Sequence, residues 1–212
     1  MAAGRLDDAV SCFEAALAAK PGYPQARWIR ALAWLAAGDY ERGWSEYEWR
    51  LKTEPHLIRH FARPRWEGTC GIGVSPMTDR EHGDSHAKGP VHGRDGRATI
   101  LLYSEQGLGD TIRFIRFTPM LAQIGAGVVV QCQPMLTRLL RSVDGIDALD
   151  STEPQTTEYY LHAPLSSLPG LLGCCYETVP NTVPYIHPEP YLEAMCKEKL
   201  AEVSGLKVGL NW

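Results

Sequence analysis

From Ala98 onward the chain alternates apolar runs with helix-spaced segments, and the first such unit limits what it can fold into. Ala98-Thr99-Ile100-Leu101-Leu102-Tyr103 is apolar and partly β-branched. Ser104-Glu105-Gln106-Gly107-Leu108-Gly109-Asp110 follows, a glycine-containing turn. Thr111-Ile112-Arg113-Phe114-Ile115-Arg116-Phe117 then carries apolar residues at helical spacing. Strand, turn and helix in this order belong to a parallel α/β sheet, where such a turn lies at the carboxyl end of a strand and ligands bind. Gly107 and Gly109 permit positive φ and the close approach of another molecule. The start of the following helix offers free N–H groups and the positive end of a dipole. Two roles are open for Asp110, a helix N-cap and a ligand-facing carboxylate. A dinucleotide fingerprint needs a third glycine where Ile112 stands, and a P-loop needs Gly-Lys-Ser/Thr, so neither is present.

The units that follow are expected as strands at 128–132, 146–149, 159–162 and 207–212. Helices are expected at 110–124, 134–142 and 191–204, with a short one after Pro164. Pro119 lacks an N–H and should bend the first of these helices or shift its bonding. Strands separated by helices imply a parallel, doubly wound sheet.

Residues 1–57 read differently. Gly4 and Gly38 stand 34 residues apart, as do Ala9 and Gly43, Phe13 and Tyr47, and Pro21 and Pro55. A 34-residue period with small, aromatic and proline positions in phase is the tetratricopeptide signature. It predicts helices at 5–19, 24–36 and 39–53, the glycine in the turn between helices and the small residue at their closest approach. Such units need neighbours to bury their faces, so the array reads as cut at its start or packed on the next domain. Trp28, Trp34, Trp44 and Trp49 are expected in core or interface packing.

Residues 54–67 read as an extended connector. Pro64 disfavours helix before it, and Trp66 is expected to pack against one of the domains. The basic run Arg59 to Arg65 reads as a solvated linker or a docking edge. Residues 68–97 are rich in glycine and polar residues and are expected to form a mobile loop. No scaffold there would hold His82, His86 and His92 around a metal.

A net charge of −4 and a pI near 6.0 exclude a general nucleic-acid binder. No apolar run approaches the ~18 residues of a membrane span, and residues 1–8 hold no secretion segment. The six cysteines (Cys12, Cys70, Cys132, Cys174, Cys175, Cys196) show no C-x-x-C pair. They are expected as reduced thiols in a cytoplasmic protein.

Three phrases carry a resemblance: Glu105-Gln106-Gly107-Leu108-Gly109-Asp110, Gly43-Trp44-Ser45-Glu46-Tyr47-Glu48-Trp49-Arg50, and Pro164-Leu165-Ser166-Ser167-Leu168-Pro169. Together they resemble bacterial tetratricopeptide proteins with a heptosyltransferase-like domain, of the glycosyltransferase family nine type. The resemblance covers the chain except for 68–97. It implies an α plus α/β architecture: repeats over 1–57, linker and loop over 58–97, a Rossmann-like acceptor-side domain over 98–206, and the start of a second domain at 207–212. The family fold, of GT-B type, is two Rossmann-like domains across a cleft, so the chain reads as a fragment, inactive by itself.

The implied activity is inverting, metal-independent transfer from a nucleotide-sugar donor to a glycan, lipid or protein acceptor. The donor is a co-substrate, and no other cofactor is implied. Asp110 is the implied general base. Glu105, Gln106, Gly107, Leu108 and Gly109 are the implied substrate-binding residues, and the repeats offer room for a protein partner. The rival expectation is a non-catalytic binding module, its repeats beside a degenerate sugar-binding domain.

Overall fold

A computed structural model describes residues 2–68, 98–151 and 159–208. The amino-terminal part is helical: α1 (Ala2–Ala19), α2 (Pro24–Ala37), α3 (Tyr40–Tyr47) and α4 (Trp49–Thr53). Pro24 stands in the first turn of α2, where a missing N–H costs nothing. Gly38 closes that helix in the left-handed region, at φ +85°, and Asp39 caps the next by accepting from the Arg42 N–H at 3.1 Å. The small residue Gly43 is buried where α2 and α3 meet; a Cβ there would lie 2.6 Å from the Leu35 side chain.

Two expectations change here. Gly4 lies inside α1 and not in a turn before it. The helix expected over 39–53 is split at Glu48, where bonding tightens and the Leu51 N–H reaches Glu48 O at 3.1 Å, three residues back.

The second part holds a small, all-parallel sheet of β1 (Thr99–Tyr103), β2 (Gly127–Gln131), β3 (Ala148–Asp150) and β4 (Leu161–Pro164), in the order β3-β2-β1-β4. Every residue of β1 and β2 is buried, which is why both read as continuous apolar runs and not as alternating ones. Ile100 lies beside Val128 on one side and Leu161 on the other, so β1 is central. Between the strands run α5 (Leu108–Phe114), α6 (Thr118–Gln123) and α7 (Pro134–Leu140), and after β4 come α8 (Leu168–Leu171) and α9 (Pro190–Ala201).

The helix expected over 110–124 is thus two helices. It begins at Leu108, and a 3-10 turn at Ile115–Phe117 separates α5 from α6, which has Pro119 in its first turn. The proline has no N–H to continue the ladder, so the break falls just ahead of it. Lys207 and Val208 carry no strand pairing. The rest of that expected strand, 209–212, lies outside the described residues, as do 69–97 with His82, His86 and His92.

The connector does not run free. The Trp66 N–H donates to His162 O at 2.8 Å, and the His162 N–H donates to Pro64 O at 3.1 Å. Arg65 therefore lies parallel to His162, on the side of β4 away from β1. Trp66 is 1% exposed, within the core built by Ile100, Leu102, Val128, Val130, Leu165 and Leu168. Phe61 covers Tyr103 and His162, its ring centroid 5.1 and 4.6 Å from theirs. Arg59 reaches Gln131 Oε1 at 2.6 Å, across the carboxyl ends of β1 and β2. Within the basic run Arg59 and Arg65 bond the rest of the fold, while His60 is exposed. Among the described residues no helix is long and apolar enough to cross a membrane.

Gly145, just before β3, is doubly constrained. Its φ is +78°, and an added Cβ would lie 2.8 Å from Pro119 Cα, which is backbone and unable to swing away. Gly145→Ala should lower stability by at least about 2 kcal/mol in urea denaturation, from left-handed strain plus the clash.

Candidate functional site

Chain order reverses between β1 and β4: β2 and β3 lie to one side of β1, and β4 to the other. Outside the carboxyl ends of two such strands is where open α/β sheets bind ligands. The loops that border this point are Ser104–Gly107 after β1 and Leu165–Ser167 after β4.

The expected site residues separate into two groups there. Gly107 is the N-cap of α5, with extended backbone (φ −71°, ψ 173°). Neither it nor Gly109 has positive φ. A Cβ at Gly109 would meet nothing within 4 Å, and one at Gly107 only Asp110 Oδ2, at 3.4 Å. These glycines are not required by their own backbone; what they leave is open space. Leu108 is exposed beside them. Asp110 is the third residue of α5 and not its N-cap, and its Oδ2 accepts from the Gly107 N–H at 3.2 Å. The N-cap position thus lies three residues before Asp110, because the helix starts earlier than the apolar spacing suggests. Asp110 remains partly exposed.

Glu105 and Gln106 turn inward. The Glu105 side chain is 1% exposed, and its Oε1 accepts from Arg50 Nη2 at 2.9 Å and from the Ser166 hydroxyl. Gln106 Nε2 donates to Tyr47 Oη and to Ser166 Oγ, both at 3.3 Å. Its carbonyl accepts from Gln133 Nε2 at 2.9 Å, and Gln133 Oε1 in turn accepts from the Thr111 hydroxyl at 3.0 Å. The loop before α5 is thus held from both sides.

At the centre of these bonds stands Arg50 of α4, whose side chain is fully buried. Besides Glu105 it donates to Glu48 Oε1 at 2.5 Å and to Ser167 Oγ at 2.7 Å, with its guanidinium 4.6 Å from the Tyr47 ring centroid. Arg65 of the connector bonds the other oxygen of Glu48. Burial pushes the Glu48 carboxyl up, but the charges of Arg50 and Arg65 outweigh it and hold Glu48 below its ordinary range. For Arg50, burial is outweighed by the charges of Glu48 and Glu105, and its guanidinium is held more firmly protonated.

The three phrases 43–50, 105–110 and 164–169, far apart in the chain, therefore meet in one polar cluster. Arg50 carries no mark of this role in the sequence, since no spacing rule announces an ion pair between residues 55 apart. Glu105 and Gln106 are engaged by the protein inside this cluster, whereas Asp110, bonded through Oδ2 to the Gly107 N–H, is partly exposed beside the open edge at Gly107 and Gly109.

No group of three or more His, Cys, Asp or Glu residues suited to a metal occurs among the described residues. Cys174 is a poor nucleophile: burial, and then the neighbouring Cys175, push its thiol up to about 11. No family model, curated protein or solved structure matches the chain.

Two outcomes follow from the cluster. Arg50→Met should cost about 3–5 kcal/mol of stability, because Glu105 is left buried without its cation. Adding Glu105→Gln should recover part of that loss, read as non-additivity in urea denaturation. The second concerns acid. Glu48 has a folded pKa below its unfolded value of 4.5, so its contribution is complete above pH 4.5 and is lost as pH falls through the folded value. Glu48→Gln should therefore destabilise most at neutral pH, with its curve approaching that of the unaltered protein on acidification below pH 4.5.

Proposed function

We propose that this chain is the helical-repeat and acceptor-side part of an inverting, metal-independent glycosyltransferase of the heptosyltransferase-like kind. On this reading α1 to α4 are tetratricopeptide-type units. The parallel sheet is the first Rossmann-like domain of a two-domain enzyme whose other domain holds the nucleotide-sugar donor. The observation that carries it is the meeting of the stretches 43–50, 105–110 and 164–169 at the β1/β4 reversal, with Asp110 on the open rim.

Asp110 is the general base. It takes the proton from an acceptor hydroxyl as that oxygen attacks the anomeric carbon. The carbon–oxygen bond to the nucleoside diphosphate breaks, and the diphosphate leaves with the electron pair. A positioned base contributes about a hundred- to ten-thousand-fold. Glu105, held by Arg50 and Ser166, keeps in place the loop that leads into the helix carrying Asp110. Gly107, Leu108 and Gly109 border the acceptor.

A second reading is a non-catalytic binding module. It is favoured by one fact: the crevice bounded by Glu105, Asp110, Phe114 and Ser166 has no room for even a water-sized molecule, since the chain's own groups fill the strand ends.

The two readings separate in the full-length protein, supplied with UDP-, GDP- and ADP-sugars and assayed for nucleoside diphosphate release. Asp110→Asn should lower kcat by about a hundred-fold or more. The amide still offers an oxygen to the Gly107 N–H, so stability should fall by no more than about 1 kcal/mol, the loss of a charge in the first turn of a helix. Near-normal turnover in the folded variant removes Asp110 from the chemistry. Absence of turnover with every donor favours the binding module.

A further inference from the structure

A second cavity, about 400 Å³, lies between α3 and α8, where the helical part meets the loop after β4. Its size falls within the range of small-molecule sites, ~300–1,000 Å³, and such sites favour the seams between structural units. We infer that it binds a neutral sugar ring, and that this ring belongs to the acceptor. The cavity stands on its own geometry; giving its occupant the acceptor role rests on the glycosyltransferase reading.

One wall is aromatic. Tyr40 and Trp44 follow each other on α3 with ring planes 27° apart and centroids separated by 6.5 Å. Trp44 is braced from behind by Tyr47, edge-on at 5.4 Å. Opposite stands α8, which approaches because residue 170 is glycine; a Cβ there would already lie 3.3 Å from Trp44 Cβ. The polar side chains of the lining are the carboxylates of Glu41 and Glu48, the hydroxyls of Tyr40, Ser45 and Ser167, and the thiols of Cys174 and Cys175.

Charge selects among ligands. No Lys, Arg or His occurs among the described residues that line the cavity, so a phosphate or carboxylate would face two carboxylates with no cation at the wall. A ligand cation gains little from Glu48, both of whose oxygens already accept from Arg50 and Arg65. A bare alkyl chain would cover the Glu41 carboxylate without returning its hydrogen bonds to water, which is costly. A pyranose suits both surfaces. Its C–H face meets the negative faces of the aromatic rings, and its hydroxyl rim meets carboxylates and hydroxyls.

Position ties the cavity to the proposed chemistry. Ser167 lines it, while the adjacent Ser166 borders the crevice of Asp110 and bonds Glu105. The cavity and the crevice thus share the loop after β4. Among glycan, lipid and protein acceptors, an aromatic wall without a cation selects a glycan.

The test is saturation-transfer NMR on the full-length protein without donor. The probes are maltotriose, cellotriose and mannotriose, with tetramethylammonium and decanoate as controls. At least one trisaccharide should receive saturation at its ring protons. Ser45→Phe, an enlargement at an exposed position, should fill the cavity and weaken that binding at least tenfold, and Trp44→Ala should do the same. No donor is present, so binding is read separately from turnover. The inference is overturned if no trisaccharide binds, if binding survives Ser45→Phe in a folded protein, or if either control competes for the cavity.

Discussion

A guanidinium with no access to water organises this molecule. Arg50 has to find its partners inside the protein, because burying an unpaired cation costs more than any single contact returns. Those partners come from four places: Glu48 beside it, Glu105 after β1, Ser167 after β4, and, through Glu48, Arg65 of the connector. None of these segments can shift without leaving a charge unsatisfied. The helical part and the sheet are therefore held in register by geometry-sensitive polar bonds, while the bulk of the burial comes from apolar cores on either side.

The same arrangement decides what is left for a ligand. At the β1/β4 reversal the inward groups are used by the protein, while outward lie the open edge at Gly107 and Gly109 and the partly exposed Asp110, whose Oδ2 accepts from the Gly107 N–H. The loop before α5 is fixed at Glu105 and Gln106, and Gly107 is bonded to Asp110 and Thr111 of the helix that follows.

Much of this was legible in the sequence, for physical reasons. β1 and β2 are buried on both faces, so their apolar runs are uninterrupted and stand out. Gly38 and Pro24 mark helix ends because each has a backbone property no other residue shares. What was not legible depends on contacts across long separations. The break at Glu48 lies where its carboxylate serves two arginines, one of them in the connector. The start of α5 at Leu108, two residues before Asp110, leaves no mark in apolar spacing, because Leu108 and Gly109 lie on the exposed side. The docking of 64–66 on β4 is a backbone pairing, invisible to side-chain patterns apart from Trp66.

That pairing has a mechanical meaning. The chain leaves the helices and enters the edge of the sheet before it reaches any strand of its own, through the Trp66 N–H and the His162 N–H. Tension applied to the amino-terminal helices would not fall on a slack tether. It would act as shear along the outer side of β4, with the Trp66 indole as a peg in the core. Shear loads several hydrogen bonds together, whereas peeling loads them one at a time. A partner pulling on the helices would thus strain the β4 edge, whose following loop holds Ser166 and Ser167, and the strain would arrive where Glu105 is held.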